Sequence, residues 1–576
     1  MQMEPLTILE EFLKEPKIAY FSMEIGLLND MRTYSGGLGV LAGDTVRSAA
    51  DLKVPLLAVT LINKKGYFDQ NLDSEGNQTE KPAAWQPEIF MRPLSGKVFI
   101  ELEGRPVAIS SWLYVQRSIT GGKVPILFLD TDLPENSPED RELTFYLYGG
   151  DEKYRLMQEA ILGIGGVRML RKLGFEIKKY HMNEGHASLL TLELLLEYKK
   201  DIEAVWDEDL VWDVERVKEL CVFTTHTPEK AGHDVFSYDL FREVLGETIP
   251  IRILKKWAGP EKLNMTHLDL NLTEYVNGVA KKHREVTMRM FPGYEFSSIT
   301  NGVHSFTWTD EHMKAVFDKY LPGWANEPEL FVRIGRVPED ELWQAHMASK
   351  RALLDYVNLL TGAGFGYETL TIGFARRATA YKRADLIFRD VERLARIGQG
   401  KLQIILAGKA HPRDLAGKDV IRSIFKCMKQ LAGRMKIVYL KNYDMDLALK
   451  LVSGVDVWLN TPRRPREASG TSGMKAAHNG VLNFSVLDGW WIEGHIEGYT
   501  GWAIGPAVTD ESEPVEVRDA KDAEDLYQKL ENIIIPLYYT NRHTWVRMMQ
   551  NAIGKNAYYF NTHRMMLRYV TEAYIK

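Results

Sequence analysis

Short runs of continuous apolar residues recur along the chain, separated by segments whose apolar positions return every three to four residues. The runs are KIAYFSM (17–23), VPLLAVTLI (54–62), VPILFLD (124–130), CVFTT (221–225), LTIGFA (370–375), LQIILAG (402–408), KIVYL (436–440) and VDVWLN (455–460), with VLNFSVL (481–487) a further candidate. Such runs predict parallel strands covered on both faces. Helical patterns at 151–173, 187–200, 384–397 and 416–432 lie between them. Repeated strand-then-helix order predicts doubly wound α/β domains. VFIELEGRPVAISSWLYVQ (98–116) alternates instead, and predicts an antiparallel hairpin around a Gly-Arg-Pro turn. A helical segment, 309–362, separates two strand-rich halves, so a boundary is expected near residue 305. The end of the chain reads as amphipathic helix without strands and is expected to pack back across both halves.

With 576 residues the chain exceeds a single core. Its net charge of −6, with signs mixed throughout, gives no global attraction to nucleic acid or membrane. The two cysteines, Cys221 and Cys427, sit in apolar runs and are expected to be buried free thiols, as in a reducing cytosol. The opening segment MQMEPLTILEEFLKEPK lacks a basic region and a long apolar core, so it does not read as a signal peptide. No apolar stretch approaches the ~20 residues of a membrane span. A cytoplasmic enzyme is the expectation.

In open α/β sheets, ligands bind where strand ends meet helix starts. The loop YSGGLGVLAGD (34–44) has glycines at 36, 37 and 39. They permit close backbone approach and would leave amides for an anion, or they simply pack a tight turn. In GFARRATAYKRADL (373–386), Arg376, Arg377, Lys382 and Arg383 follow a strand. Cations at a helix start are locally unfavourable and point to a neighbouring anion. NTPRRPREASGTSGMK (460–475) ends in a Ser-Gly-Thr-Ser-Gly cap, with Lys475 one turn into a helix. An anion site beside a nucleophilic lysine suits pyridoxal 5′-phosphate; a capped helix with an ordinary lysine is the plain alternative. HMNEGH (181–186), TTHTPEKAGH (224–233) and ITNGVH (299–304) each follow a strand-like run. Their spacings fit no zinc pattern and favour contacts to a hydroxyl-rich ligand.

Taken in order, SGGLGVLAGD, GYFDQ (66–70), MNEGHASL, THT, VNGVA (276–280), TNGV (300–303), RRATAYKR, LAGKAHP (406–412), YLKNYD (439–444) and EASGTSGMK resemble the α-glucan (glycogen, starch, maltodextrin) phosphorylase family. The resemblance runs from AYFSMEIGL (19–27) to about GWWIEGH (489–495). It implies an α/β fold of GT-B architecture, two Rossmann-like domains facing across a cleft. On that basis the domains are expected at 1–305 (glucan and phosphate side) and 306–545 (cofactor side), with a helical segment 546–576 packing back on the first. It implies pyridoxal 5′-phosphate on Lys475, with Thr471, Ser472, Gly473, Arg376 and Tyr443 around it. Arg377 and Lys382, with the glycine loop at Gly36 and Gly37, would hold inorganic phosphate. Glu467, Ser469 and Gly470 would bind glucose hydroxyls, with Asn301, His226 and Glu184 across the sugar. The implied reaction is phosphorolysis of an α-1,4-glucan to α-D-glucose 1-phosphate with retention, by a protein that is often a homodimer in the family.

The chain departs from the family at several positions. Asp444 and Val40 stand where the family carries arginines, Ser472-Gly473 replaces Gly-Asn, and HSFTW (304–308) replaces a Pro-Arg-Arg run. Little precedes AYFSMEI, so a short form without the N-terminal regulatory region, and without a response to AMP, is expected. A nucleotide-sugar-dependent glucan synthase of the same architecture and a catalytically degenerate glucan-binding homologue remain the alternatives.

Overall fold

Two parallel sheets organise the chain, seen in a computed structural model that describes residues 9–201, 207–229, 232–506 and 512–575. The extreme N-terminus read above for targeting signals, residues 1–8, and Lys230–Ala231 of the second histidine loop lie outside the described residues. The first sheet runs Ser297–Ser298, Tyr275–Gly278, Cys221–Thr224, Ile177–Asn183, Lys17–Ser22, Leu56–Leu61, Lys123–Asp130, Arg105–Arg117 and Arg92–Pro93. It is parallel as far as Lys123–Asp130 and antiparallel beyond. The second runs Lys436–Leu440, Leu402–Ala407, Leu370–Ala375, Val457–Asn460, Leu482–Val486 and Gly501–Ile504, all parallel.

Numbering each sheet's parallel strands along the chain gives the spatial order 3-2-1-4-5-6, extended by a seventh strand in the first sheet. This is the doubly wound order, and the ligand crevice lies where it reverses, between strands one and four. In the first sheet that point falls after Ser22 and Asn183; in the second, after Ala375 and Asn460. The continuous apolar runs are buried along their length, as in Leu56–Leu61 and Leu402–Ala407. The architecture is GT-B, with terminal helices crossing back. Trp545, Met549 and Ile553 pack in the second core, whereas Met565, Met566, Tyr569 and Tyr574 pack against the first sheet.

Two local expectations are corrected. The hairpin turns at Glu103–Gly104, whose φ angles are +51° and +73°, not at Gly-Arg-Pro. Arg105 already pairs with Leu102, and proline cannot adopt the positive φ that a two-residue turn needs. Cys221 is buried, but Cys427, on the helix Leu415–Gln430, is only half-buried at the edge of the second core. A second hairpin, Asp69–Leu72 with Gln78–Lys81, leaves the first half and docks on the second. Gln70 Nε2 donates to the Gly408 carbonyl and Gln78 Nε2 to that of Ala410, both at 2.8 Å. None of the described helices is long and apolar enough to cross a membrane.

Candidate active site

At the second sheet's reversal point, Arg376 leaves its strand directly into the crevice. Its Nη2 lies 2.5 Å from Glu467 Oε2, and Nη1 reaches Asn460 Oδ1. Lys382 ends the short helical turn Ala380–Lys382. Among the described residues no acid forms an ion pair with Lys382 or Arg377. Burial lowers the Lys382 ammonium well below its ordinary pKa; Arg376 and Arg377 repel it further, and Glu467 opposes them. Burial alone would raise the Glu467 carboxyl, but Arg376, Lys382 and Arg377 outweigh it and hold it below the usual range. Arg377 is solvent-exposed, yet Tyr381, Tyr67, Glu24 and Tyr148 all act on its charge. That is the setting of a side chain reaching into an open cleft. Arg383, predicted as a fourth cation of this cluster, turns away in a left-handed conformation (φ +46°). It pairs with Asp519 at 2.6 Å and Asp522 at 2.8 Å.

The helix Ser472–His478 begins in the same crevice. Thr471 occupies its N-cap position but makes no capping bond, contrary to the capped start expected. Ser472 Oγ accepts from Trp458 Nε1–H at 3.0 Å, which leaves its own proton to donate. A Cβ on Gly473 would lie 2.3 Å from Asn483 Oδ1 and 2.8 Å from Trp490, so only glycine fits. Gly470 is left-handed at φ +76°, and Ser469 is buried, its carbonyl accepting Trp490 N–H at 2.8 Å. Lys475 is buried with Nζ 3.5 Å from the centre of the Trp308 ring. Burial lowers its ammonium to about 8, with Asp44 opposing the shift. A lysine at that value is a ready nucleophile near neutral pH. Tyr443 lies in the apolar wall with Tyr34 and Trp490, and burial raises its hydroxyl pKa. Asp444, where the family has arginine, caps the helix Met445–Gly454: it accepts from Leu447 N–H at 2.9 Å and from Asn29 at 3.1 Å. Its charge is spent on that helix start.

Across the crevice stand the loops of the first sheet. Glu184 adopts φ +74° and accepts from His226 N–H at 2.7 Å and Thr227 Oγ1 at 2.9 Å. Ser22 Oγ donates to the Glu24 carbonyl, so it accepts from Asn183 Nδ2, which turns Asn183 Oδ1 towards His226 Nε2 at 2.7 Å. His226 therefore carries its proton on Nε2 and keeps Nδ1 as an acceptor. Burial lowers its pKa to about 3, so the ring is neutral. Asn301 is buried and its Oδ1 has no partner, an orphan that a ligand donor would satisfy. Gly36 and Gly37 open the helix Gly37–Asp51, and a Cβ on either would touch nothing within 4 Å.

The glycine loop differs from expectation in one respect. The amides of Ser35 and Gly36 are not available to an anion, because Glu24 Oε2 accepts both, at 2.5 and 3.2 Å. Sequence reasoning also passed over Asp44 and Trp308 around Lys475, and Asp488 behind Glu467. Asp488 accepts the Glu467 and Gly489 amides at 2.9 Å each, and burial raises its carboxyl to about 7. The acidic residue that ends the apolar run 17–23 was the available signal for Glu24.

The profile of the carbohydrate phosphorylase family matches residues 251–533. A maltodextrin phosphorylase of Thermococcus litoralis is 40% identical, over 98% of this chain and 71% of that protein. A glycogen phosphorylase of Aquifex aeolicus is 35% identical, over 98% and 87% respectively. Another, of Mycobacterium tuberculosis, is 36% identical, over 97% and 70%.

Proposed function

The chain belongs to the carbohydrate phosphorylase family and is a glycosyltransferase, and from that premise we propose that it is a pyridoxal 5′-phosphate-dependent α-1,4-glucan phosphorylase. It would split glycogen, starch or maltodextrin with inorganic phosphate, releasing α-D-glucose 1-phosphate with retention of configuration. The observation that carries this reading is the shortage of anions at the crevice. Arg376, Arg377 and Lys382 act on one another across a single buried carboxylate, Glu467, and the strain falls on Lys382. A phosphate placed there would relieve it.

The residues present fit the cofactor. Lys475 is a buried amine of lowered pKa, facing the Trp308 ring and free of any acid partner among the described residues. Thr471, Ser472 and Gly473 offer helix-start amides and an unspent hydroxyl proton for a phosphate, with Arg376 on one side and Tyr443 in the wall. When bound, the group supplies a second phosphate whose proton is available to the substrate phosphate.

The chain's own groups then divide the work. Arg377, Lys382 and the Gly37 end of its helix bind inorganic phosphate. Glu467, tied to Arg376 at 2.5 Å, is held ionised to accept from sugar hydroxyls, with Ser469 and Gly470 beside it. Glu184, His226 and Asn301 line the other side, His226 as a neutral acceptor at Nδ1. The anions so gathered stabilise the positive charge that develops on the sugar as its bond breaks, and no flanking pair of catalytic carboxylates is required.

Incubation with maltodextrin and inorganic phosphate, followed by assay of glucose 1-phosphate, tests the proposal. Steady release that depends on phosphate is expected. Chain extension from a nucleotide sugar without that release would replace it with the synthase reading, and glucan binding with neither reaction would replace it with the degenerate homologue.

A further inference from the structure

Glu24 lies two residues beyond the strand Lys17–Ser22, at the reversal point of the first sheet, and only 3% of it is exposed. Its Oε2 accepts from Ser35 N–H at 2.5 Å, Gly36 N–H at 3.2 Å and Ser35 Oγ at 3.2 Å. Oε1 accepts from Tyr148 O–H at 2.9 Å. Tyr148 is a non-glycine residue at φ +57°, a conformation that its surroundings must hold, and the Arg155 guanidinium lies 4.6 Å from its ring centre. A Cβ on Gly39 would come within 2.6 Å of Glu24 Oε2, so this glycine serves the buried carboxylate. The positions facing outward, Gly36 and Gly37, have open space before them. An internal carboxylate thus fills the inner side of a loop whose sequence reads as an anion cradle. It also acts electrostatically on Arg377 across the cleft and on Tyr67 of its own half.

We infer that Glu24 is a positioning residue for phosphate, holding the glycine loop from within so that the Gly37 helix start and Arg377 face one point. The inference rests on the phosphorylase reading above for the identity of the anion, but not for the loop geometry. Glu24 does not touch the substrate. As a carboxylate near the incoming anion it also weakens phosphate binding by repulsion, so its hydrogen bonds and its charge act in opposite directions.

Two variants separate these effects. Glu24→Ala removes every acceptor. Glu24→Gln keeps one oxygen for the Ser35 and Gly36 amides, offers its NH2 to the Tyr148 hydroxyl oxygen, and removes the charge. In the holoenzyme, E24A is expected to raise the KM for phosphate about tenfold or more, the scale of losing charge-assisted hydrogen bonds. Its KM for maltodextrin should stay within about twofold on the same reasoning. E24Q is expected to bind phosphate as tightly as the wild type or more tightly. Hydrogen exchange of residues 33–41 should quicken in E24A and not in E24Q. Calorimetric titration with inorganic phosphate reads the same affinities without turnover. A wild type that binds phosphate but releases no glucose 1-phosphate would therefore sink the phosphorylase reading while the ratios among variants still judge Glu24. An unchanged phosphate affinity in E24A would overturn the inference. So would E24Q as impaired as E24A, or parallel losses for phosphate and maltodextrin.

Discussion

Lys475 Nζ sits 3.5 Å from the centre of the Trp308 ring, while Trp308 Nε1–H donates to Asp44 Oδ2 at 2.7 Å. One indole thus touches the reactive amine with its face and steadies, with its edge, the carboxylate that acts on that amine. Arg47 holds the other oxygen of Asp44 at 3.1 Å. Treatment with pyridoxal 5′-phosphate followed by borohydride should leave a pyridoxyl label on the Lys475 peptide, and Lys475→Arg should leave none. Because Asp44 raises the Lys475 pKa, Asp44→Asn should move the pH of half-maximal labelling below the wild-type value, which is expected near 8. A midpoint that moves upward would show that the carboxylate does not act as placed here.

Phosphate affinity should depend on pH through Lys382. Its pKa is depressed, so it loses its proton at lower pH than an ordinary lysine, and a bound anion favours the charged form. Phosphate binding should then take up protons and weaken as pH rises. Calorimetric titrations in buffers of different ionisation enthalpy measure that uptake. Arg377→Ala and Lys382→Ala should each lower kcat/KM for phosphate by about ten- to a hundredfold, the range for a charge-assisted contact. Proton uptake should vanish in Lys382→Ala alone.

The strands readable from pattern were those buried on both faces by apolar side chains, such as Leu370–Ala375. Ile177–Asn183 was visible only as a strand-like prelude to its loop, because it carries Lys178, Lys179 and His181. Two of these are made tolerable by groups far along the chain: Lys179 Nζ donates to the Glu219 carbonyl, and His181 Nδ1 meets Tyr574 O–H at 2.6 Å. The site loops were legible because strand order puts chemistry at strand ends. Direction was not legible. Arg383 is adjacent to Lys382 in sequence but is claimed by Asp519 and Asp522, and the Ser35 and Gly36 amides of the glycine loop are claimed by Glu24. Such competition among partners is decided by tertiary contacts that no local spacing encodes.

Two glycines of the site should respond oppositely to a methyl group. Gly473→Ala forces its Cβ to within 2.3 Å of Asn483 Oδ1 and 2.8 Å of Trp490, inside a packed wall. A loss of about 1–3 kcal/mol is expected from overpacking. Gly37→Ala meets nothing within 4 Å and lies at the first helical position, so thermal unfolding should match the wild type while any effect falls on phosphate binding. Differential scanning calorimetry of the two variants checks the contrast, and equal stability losses would refute it.

The docked hairpin should hold the two halves together through Gln78. Its Nε2 donates to the Ala410 carbonyl at 2.8 Å and its Oε1 accepts from Ala410 N–H at 3.0 Å. Gln78→Ala strands both backbone groups in a buried contact, at a cost of about 1–3 kcal/mol per unsatisfied group. Thr79→Ala, at the exposed neighbouring position, should change stability by under about 0.5 kcal/mol. Urea unfolding curves measure both.

Acid should destabilise the protein before its carboxylates are generally protonated. Burial lowers His181, His186 and His226 to about 3, and His283 and His478 to about 4. An unfolded histidine titrates near ~6.5, so between about pH 6.5 and 5 the unfolded chain gains a proton at each of the five that the native state refuses. Five carboxyls act in the opposite sense. Burial raises Asp488 to about 7, and lifts Glu159, Asp269, Asp385 and Asp446 above their ordinary values, so each keeps its proton to higher pH in the native state than in the unfolded chain. His233, His267, His304 and His411 are lowered too, so the lowered histidines outnumber the raised carboxyls, the unfolded state takes up more protons than the native state over this window, and stability is expected to fall as pH falls. Urea unfolding at half-unit intervals from pH 7 to 5 gives the slope directly. His478→Gln, whose longer amide extends towards the Ser305 hydroxyl that His478 Nε2 now meets at 3.0 Å, should reduce that slope by about one proton. A protein that grows more stable towards pH 5 would show that the buried carboxyls, and not the histidines, dominate its acid response.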